Sequence, residues 1–147
     1  MSAEDNKAFM HRYFEAISGK DKPRALQDEY IADSDEELKE QIVFFEAAFP
    51  HYALLVDDMV AEGDKVAVRV TFKGTHKGEF MGIAPTGKKI EMRSLDFWRL
   101  ENGLIRENWV LVDLLQMYDQ IGVDVFARIR EFNKARTGFD PETGVAL

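Results

Sequence analysis

After Pro50 the hydrophobic period of this chain changes, and no other feature limits the possible fold as much. Before it, Phe9, Met10, Tyr13, Phe14 and Ile17 recur at spacings of three and four, as do Leu38, Ile42, Phe45 and Phe49. After it, Val66, Val68, Val70 and Phe72 alternate with Lys65, Arg69, Thr71 and Lys73. The first pattern puts an apolar stripe on a helix, and the second puts an apolar face on a strand. Each needs the other for cover, so the expectation is an α+β domain with helices over one face of a curved antiparallel sheet. Such an arrangement encloses a pocket.

Local signals place the elements. Residues 4–18 read as an amphipathic helix between Ser2, a candidate cap, and Gly19, a stop. Pro23 opens a short helix to about Ile31, and Ser34 with Glu37 has the capping-box spacing ahead of a third helix that Pro50 ends. The segments Tyr52 to Glu62 and Lys65 to Lys73 form a hairpin, with an interruption expected at Asp57 and Asp58. Residues 88–100 and 104–113 flank Glu101-Asn102-Gly103, where Asn-Gly marks a second hairpin. A short helix over 114–122 follows, then another striped by Val125, Ile129 and Phe132. Residues 136–147 are expected to form a mobile tail.

The chain has 147 residues, the size of a single domain spanning 1–147. Its 27 acidic and 19 basic residues leave a net charge of −8, which argues against nucleic acid as a partner. The absence of cysteine removes thiolate nucleophiles and cysteine zinc sites, and fits a reducing compartment. The amino terminus is acidic and mixed, and no apolar run approaches a membrane span of about 18 residues, so a cytoplasmic protein without a membrane partner is expected.

Four places carry chemistry-bearing residues. Asp113 closes the apolar run Trp109 to Leu115: it is either the cap of the helix that begins at Leu114 or a buried carboxylate whose pKa desolvation raises, a candidate general acid/base. Asp96 interrupts "SLDFWRL", in which Ser94, Asp96 and Trp98 share one strand face and Leu95, Phe97 and Arg99 the other. Both faces carry aromatic residues, so Asp96 is either an exposed ion-pair partner or a second polar group in the pocket. Trp109 is either core or a wall for a flat substrate. His76 sits among glycines in "GTHKGEFMGIAPTGKK"; like His11 and His51 it has no partner at metal-ligand spacing, so no metal is expected. It either bonds within its loop or borders the cavity mouth. That loop has neither the lysine placement nor the following helix of a phosphate cradle.

The same stretches resemble a known family. "GTHKGEFMGIAPTGKKI" and "DFWRLENGLIRENWVLVDLLQMYDQIG" are similar to the GTHxGxFxGxxPTG, RxxxGxI and WxxxDx6QxG patterns of SnoaL-like polyketide cyclases and ester cyclases. The specific likeness covers residues 64–122, with a weaker extension to residue 47. It implies the nuclear transport factor 2-like fold, a cone-shaped α+β barrel of curved sheet closed by amino-terminal helices. Gly74, His76, Gly78, Gly82, Pro85 and Gly87 match the loop motif, which in this fold joins strands and borders the pocket. An aspartate serves the family's cyclases as general acid/base in an intramolecular aldol condensation without metal or cofactor, and its motif position falls on Asp113, with the motif tryptophan at Trp109. Trp98 stands where many members carry a polar residue, often histidine, which narrows the expected cavity. The His-Asp pair commonly seen before the third helix is missing.

The resemblance therefore implies a cofactor-independent enzyme acting on a small, mostly apolar or aromatic carbonyl compound. Asp113 is its expected catalytic residue, and His76, Arg93, Asp96, Trp98 and Trp109 its expected pocket residues. A non-catalytic binding or dimerisation module is the alternative. A third reading is an epoxide hydrolase built on Arg93, Asp96 and Asp113, which requires those three side chains within hydrogen-bonding reach. A homodimer through the outer face of the sheet is expected, because a sheet covered by helices on one side has another side to hide.

Overall fold

The computed structural model describes residues 1–138. Helix α1 (Ala3–Ile17) starts at Ser2, whose hydroxyl accepts from Asp5 N while the Asp5 carboxylate accepts from Ser2 N, a reciprocal capping box. Helix α2 (Arg24–Tyr30) follows Pro23, which stands as its cap. Helix α3 (Glu36–Ala48) is capped by Asp35, whose carboxylate accepts from Leu38 N at 3.3 Å. The expected box at Ser34 and Glu37 does not form, because Ser34 is taken up in a 3₁₀ turn, Asp33–Asp35, and the start moves one residue on.

Among the described residues four strands form one antiparallel sheet in the order β1-β2-β3-β4: β1 (Ala53–Glu62), β2 (Lys65–Thr75), β3 (Lys89–Glu101) and β4 (Leu104–Val112). The interruption expected at Asp57 and Asp58 is a β-bulge inside an otherwise continuous strand, with Val56 opposite Val70 and Asp58 opposite Arg69. The β3–β4 turn has positive φ at both Asn102 (52°) and Gly103 (73°), the geometry that Asn-Gly supplies at little cost. The sheet is curved and does not close into a full barrel; β1 and β4 are its edges. The β4 edge is protected where Ala32 N donates to Ile105 O and Ile31 bridges Ile105.

Beyond the end of β4 the edge of β3 is finished by a helix. Asp113 N donates to Arg93 O, and α4 (Leu114–Gln120) then offers two glutamine side chains to the strand. Gln116 Oε1 accepts from Arg93 N, Gln120 Oε1 accepts from Glu91 N, and Gln120 Nε2 donates to Glu91 O. Spaced i, i+4, the two side chains project from one side of the helix and satisfy backbone groups that a fifth strand would otherwise pair. Helix α5 (Val125–Thr137) follows. The expected tail began at 136, but Arg136 and Thr137 end α5; residues 139–147 lie outside the described residues.

The core has two parts. One packs α1 through Phe9, Met10, Tyr13, Phe14 and Ile17 onto Val66, Val68, Val70 and Trp98. The other gathers Phe49, Tyr52, Phe72, Phe80, Met92 and Met117. Fully burying a side chain such as Phe or Met stabilises a fold by about 1.5–3 kcal/mol, so each part is a substantial source of stability.

The glycine-rich loop is held against the second part. His76 is fully buried, and its Nδ1 accepts from Thr86 N at 3.2 Å while its backbone pairs with Lys88 O and Gly87 N. Lys77 N and Gly78 N both donate to Ala48 O at the end of α3. A Cβ at Gly78 would stand 2.0 Å from Ala47 O, so this approach admits glycine only.

Candidate functional site

A cavity of about 60 Å³ lies at the seam between the two parts of the core. Tyr13 and Trp98 line it from one side, Tyr52, Phe72 and Met92 from the other, and Ser94 and Asp96 rise from β3 between them. The buried residues of β3 are Ile90, Met92, Ser94, Asp96, Trp98 and Leu100, which settles the face that the sequence left open. Alternation along the strand then forces Arg93, Leu95 and Phe97 outward.

Asp96 is the carboxylate on the cavity wall. It is 5% exposed, and Ser94 Oγ donates to its Oδ1. Burial pushes its carboxyl up to about 6, while the Ser94 hydrogen bond pulls the other way. Trp98 is 3% exposed, meets Tyr13 and Phe14 at ring-centroid distances of 5.7 and 5.8 Å, and carries a buried Nε1–H with no hydrogen-bond partner among the described residues. Burial, then the proximity of Tyr52 and Asp96, raises the Tyr13 hydroxyl well above its ordinary range.

The remaining expected site residues fall elsewhere. Asp113 is exposed and caps α4 by accepting from Gln116 N at 3.1 Å, so the buried acid expected beside Trp109 is corrected: the helix that begins at Leu114 carries Asp113 to the surface. Trp109 is 52% exposed on the outer face and opposes Phe97 across β3 and β4, so it does not line this cavity. Arg93 is exposed on the outer face of β3. Arg93, Asp96 and Asp113 therefore do not converge, because the first and second point to opposite sides of one strand and the third caps a helix at the surface. His76 is buried in its loop and does not line the cavity. Among the described residues, no group of three or more His, Asp or Glu is arranged to hold a metal ion.

The geometry also gives three of the four fixed positions of the WxxxDx6QxG pattern a structural role. Asp113 caps α4, Gln120 pairs with Glu91, and Gly122 ends the element at a φ of 87°. In this chain Asp113 and Gln120 attach the helix to the sheet. Ser94, Tyr13 and Gln41 are cavity residues that the sequence reading missed. Shared alternation with Asp96 was the available signal for Ser94. Nothing local marked the other two, which reach the cavity from separate helices.

A model of the SnoaL-like polyketide cyclase family matches residues 23–121. The candidate hydroxylase AclR of Streptomyces galilaeus is 26% identical, with a TM-score of 0.72, over 82% of this chain and 98% of that one. The candidate polyketide cyclase IdmH of Streptomyces antibioticus is 30% identical, with a TM-score of 0.69, over 80% and 99%. A candidate SnoaL-like polyketide cyclase from Jannaschia sp. CCS1, 21% identical, shares the fold with a TM-score of 0.74 over 83% and 94%. No curated protein matches the chain. With two thirds of its length matched by the family model and its helices closing over an inner sheet face that carries the cavity, the chain belongs to the SnoaL-like polyketide cyclase family.

Proposed function

We propose that this chain is a cofactor-independent cyclase-type enzyme that moves a proton on a small, mostly apolar carbonyl compound, with Asp96 as its acid/base. The observation that carries the reading is a buried carboxyl on the wall of an aromatic cavity, poised at about 6, on the same strand face as Trp98. A carboxyl poised there is mostly ionised at neutral pH yet close enough to it to return a proton. The aromatic lining favours an apolar ligand, and the polar groups are few and localised.

In the proposed reaction the Asp96 carboxylate removes a proton from the carbon next to a carbonyl. The C–H pair forms the enolate. The enolate carbon adds to a second carbonyl of the same molecule: a C–C bond forms, the π pair of that carbonyl moves to its oxygen, and Asp96 returns the proton there. The product is an isomer of the substrate, so neither an oxidant nor a leaving group is required.

Asp96→Asn tests this. The amide keeps the size of the side chain but cannot shuttle the proton, so kcat should fall by about 10²–10⁴-fold with binding nearly intact. A loss below about tenfold would move the proton to another group, and a ligand that binds without ever turning over would favour the non-catalytic reading.

We also infer that two copies pair through the outer face of β3 and β4. What supports this is an exposed apolar quartet made of two cross-strand pairs, Leu95 with Leu111 and Phe97 with Trp109. Four large apolar side chains in one patch of open sheet are costly to leave in water.

A further inference from the structure

The cavity has room for about four water molecules, far less than a polyketide needs, but it does not end at its mouth. Gln41, Phe45 and Val112 line both the cavity and a surface groove of about 410 Å³ between α3, the turn at 80–83 and the start of α4. An aromatic series runs from one space into the other. Tyr52 stacks on Phe72 at 4.8 Å, Phe72 meets Phe45 at 5.7 Å, and Phe45 meets Phe80 at 5.8 Å. Phe80 then reaches Phe44 at 5.5 Å and Tyr118 at 6.0 Å.

Met81 adds an independent observation. Phe80 and Ile83 exchange both backbone hydrogen bonds, at 3.0 and 2.9 Å, around Met81 and Gly82, whose φ values are 51° and 80°. Both central residues of this tight turn are left-handed, a conformation that costs a residue other than glycine or asparagine roughly 1–2 kcal/mol. Methionine is disfavoured there, and at 64% exposure it gains little from the core. It does line the groove, where a flexible thioether adapts to an apolar ligand.

We propose that this groove is a second binding subsite, which holds the uncharged apolar chain of the substrate whose reacting carbonyl end lies in the cavity. The substrate is then an elongated molecule that enters between α3 and the 80–83 turn, with Gln41 at the junction. Glu37 and Glu40 on the groove wall oppose an anionic chain end. The inference rests on the cavity being the carbonyl site.

The test is a series of straight-chain methyl ketones from 2-butanone to 2-undecanone, titrated into the isotopically labelled protein and followed by NMR. Affinity should rise about two- to fourfold per added methylene, the increment expected for partial to full burial of each. Met81→Asn, which suits the left-handed turn and so preserves the fold, should flatten that rise and leave 2-butanone unchanged; Phe44→Ser should act the same way from the opposite wall. Affinity that stops rising beyond 2-butanone, or rises equally in both variants, overturns the subsite while leaving the cavity reading intact. If 2-butanone fails to shift the Trp98 indole signal, the cavity reading falls, and the subsite with it. Binding of 10-oxoundecanoate as tight as that of 2-undecanone overturns the exclusion of anionic chains.

Discussion

Ser94 and Asp96 stand two residues apart on β3 with their side chains on the same buried face, and the Ser94 hydroxyl donates to the Asp96 carboxyl. A carboxyl enclosed by tyrosine, tryptophan and phenylalanine has few ways to keep its charge. Burial therefore dominates, and one neutral donor offsets it only in part.

That balance has a consequence for stability. Between about 3.8, the ordinary value, and about 6, folded Asp96 binds more protons than unfolded Asp96, so its contribution to stability falls as pH rises through that window and is level above it. Two pKa units correspond to about 3 kcal/mol. Asp96→Asn should stabilise the protein by about 1–3 kcal/mol at pH 7 and by only about 0.5 kcal/mol at pH 4, read from denaturant unfolding at the two pH values. An equal effect at both would contradict the burial argument.

Ser94→Ala removes the donor that holds the carboxyl down. The ascending limb of a kcat/KM profile, expected near pH 6, should shift to higher pH in this variant, with activity at pH 8 largely preserved. A shift to lower pH would rule out the assigned direction of the Ser94 effect.

Asp113→Ala should cost about 1 kcal/mol of stability through loss of the α4 cap and leave kcat within a factor of about two. Thermal melts alongside turnover separate the two effects. A large loss of turnover in a folded variant would restore Asp113 as the acid/base.

For the outer face, Leu111→Glu places a charge in the apolar quartet at a residue 73% exposed in the single chain. Sedimentation at micromolar concentration should give a dimer for the parent and a monomer for the variant. A monomeric parent defeats the interface.

Gly78→Ala sets a methyl group against Ala47 O, and the loop must lift from the end of α3. The hydrogen bonds of Lys77 N and Gly78 N to Ala48 O are then strained. A loss of about 1–3 kcal/mol is expected, in the range for overpacking a tight contact. An unchanged melting temperature would mean that the loop is not anchored there.

How far the sequence could be read follows from what each signal measures. Periodicity records which side chains share a face, and so α1, α3 and the four strands were legible, as was the bulge, announced by two consecutive acids at Asp57 and Asp58. Turn chemistry placed Asn102-Gly103. The cap of α3 falls one residue beyond the capping-box pattern because Ser34 and Asp35 are both competent caps and only the preceding 3₁₀ turn selects between them.

The candidate site was legible only in its ingredients. The sequence alone placed Ser94, Asp96 and Trp98 on one face of β3, because alternation is a property of the strand itself. It could not say that this face is the inner one, since Leu95 and Phe97 make the opposite face equally apolar. Tertiary structure decided it by laying α1 over Trp98 and leaving Leu95 and Phe97 open. The same packing separates Asp96 from Asp113, two carboxylates in apolar sequence. Whether a carboxyl is desolvated depends on the atoms stacked over it, and those come from α1, α3 and β2, far away along the chain.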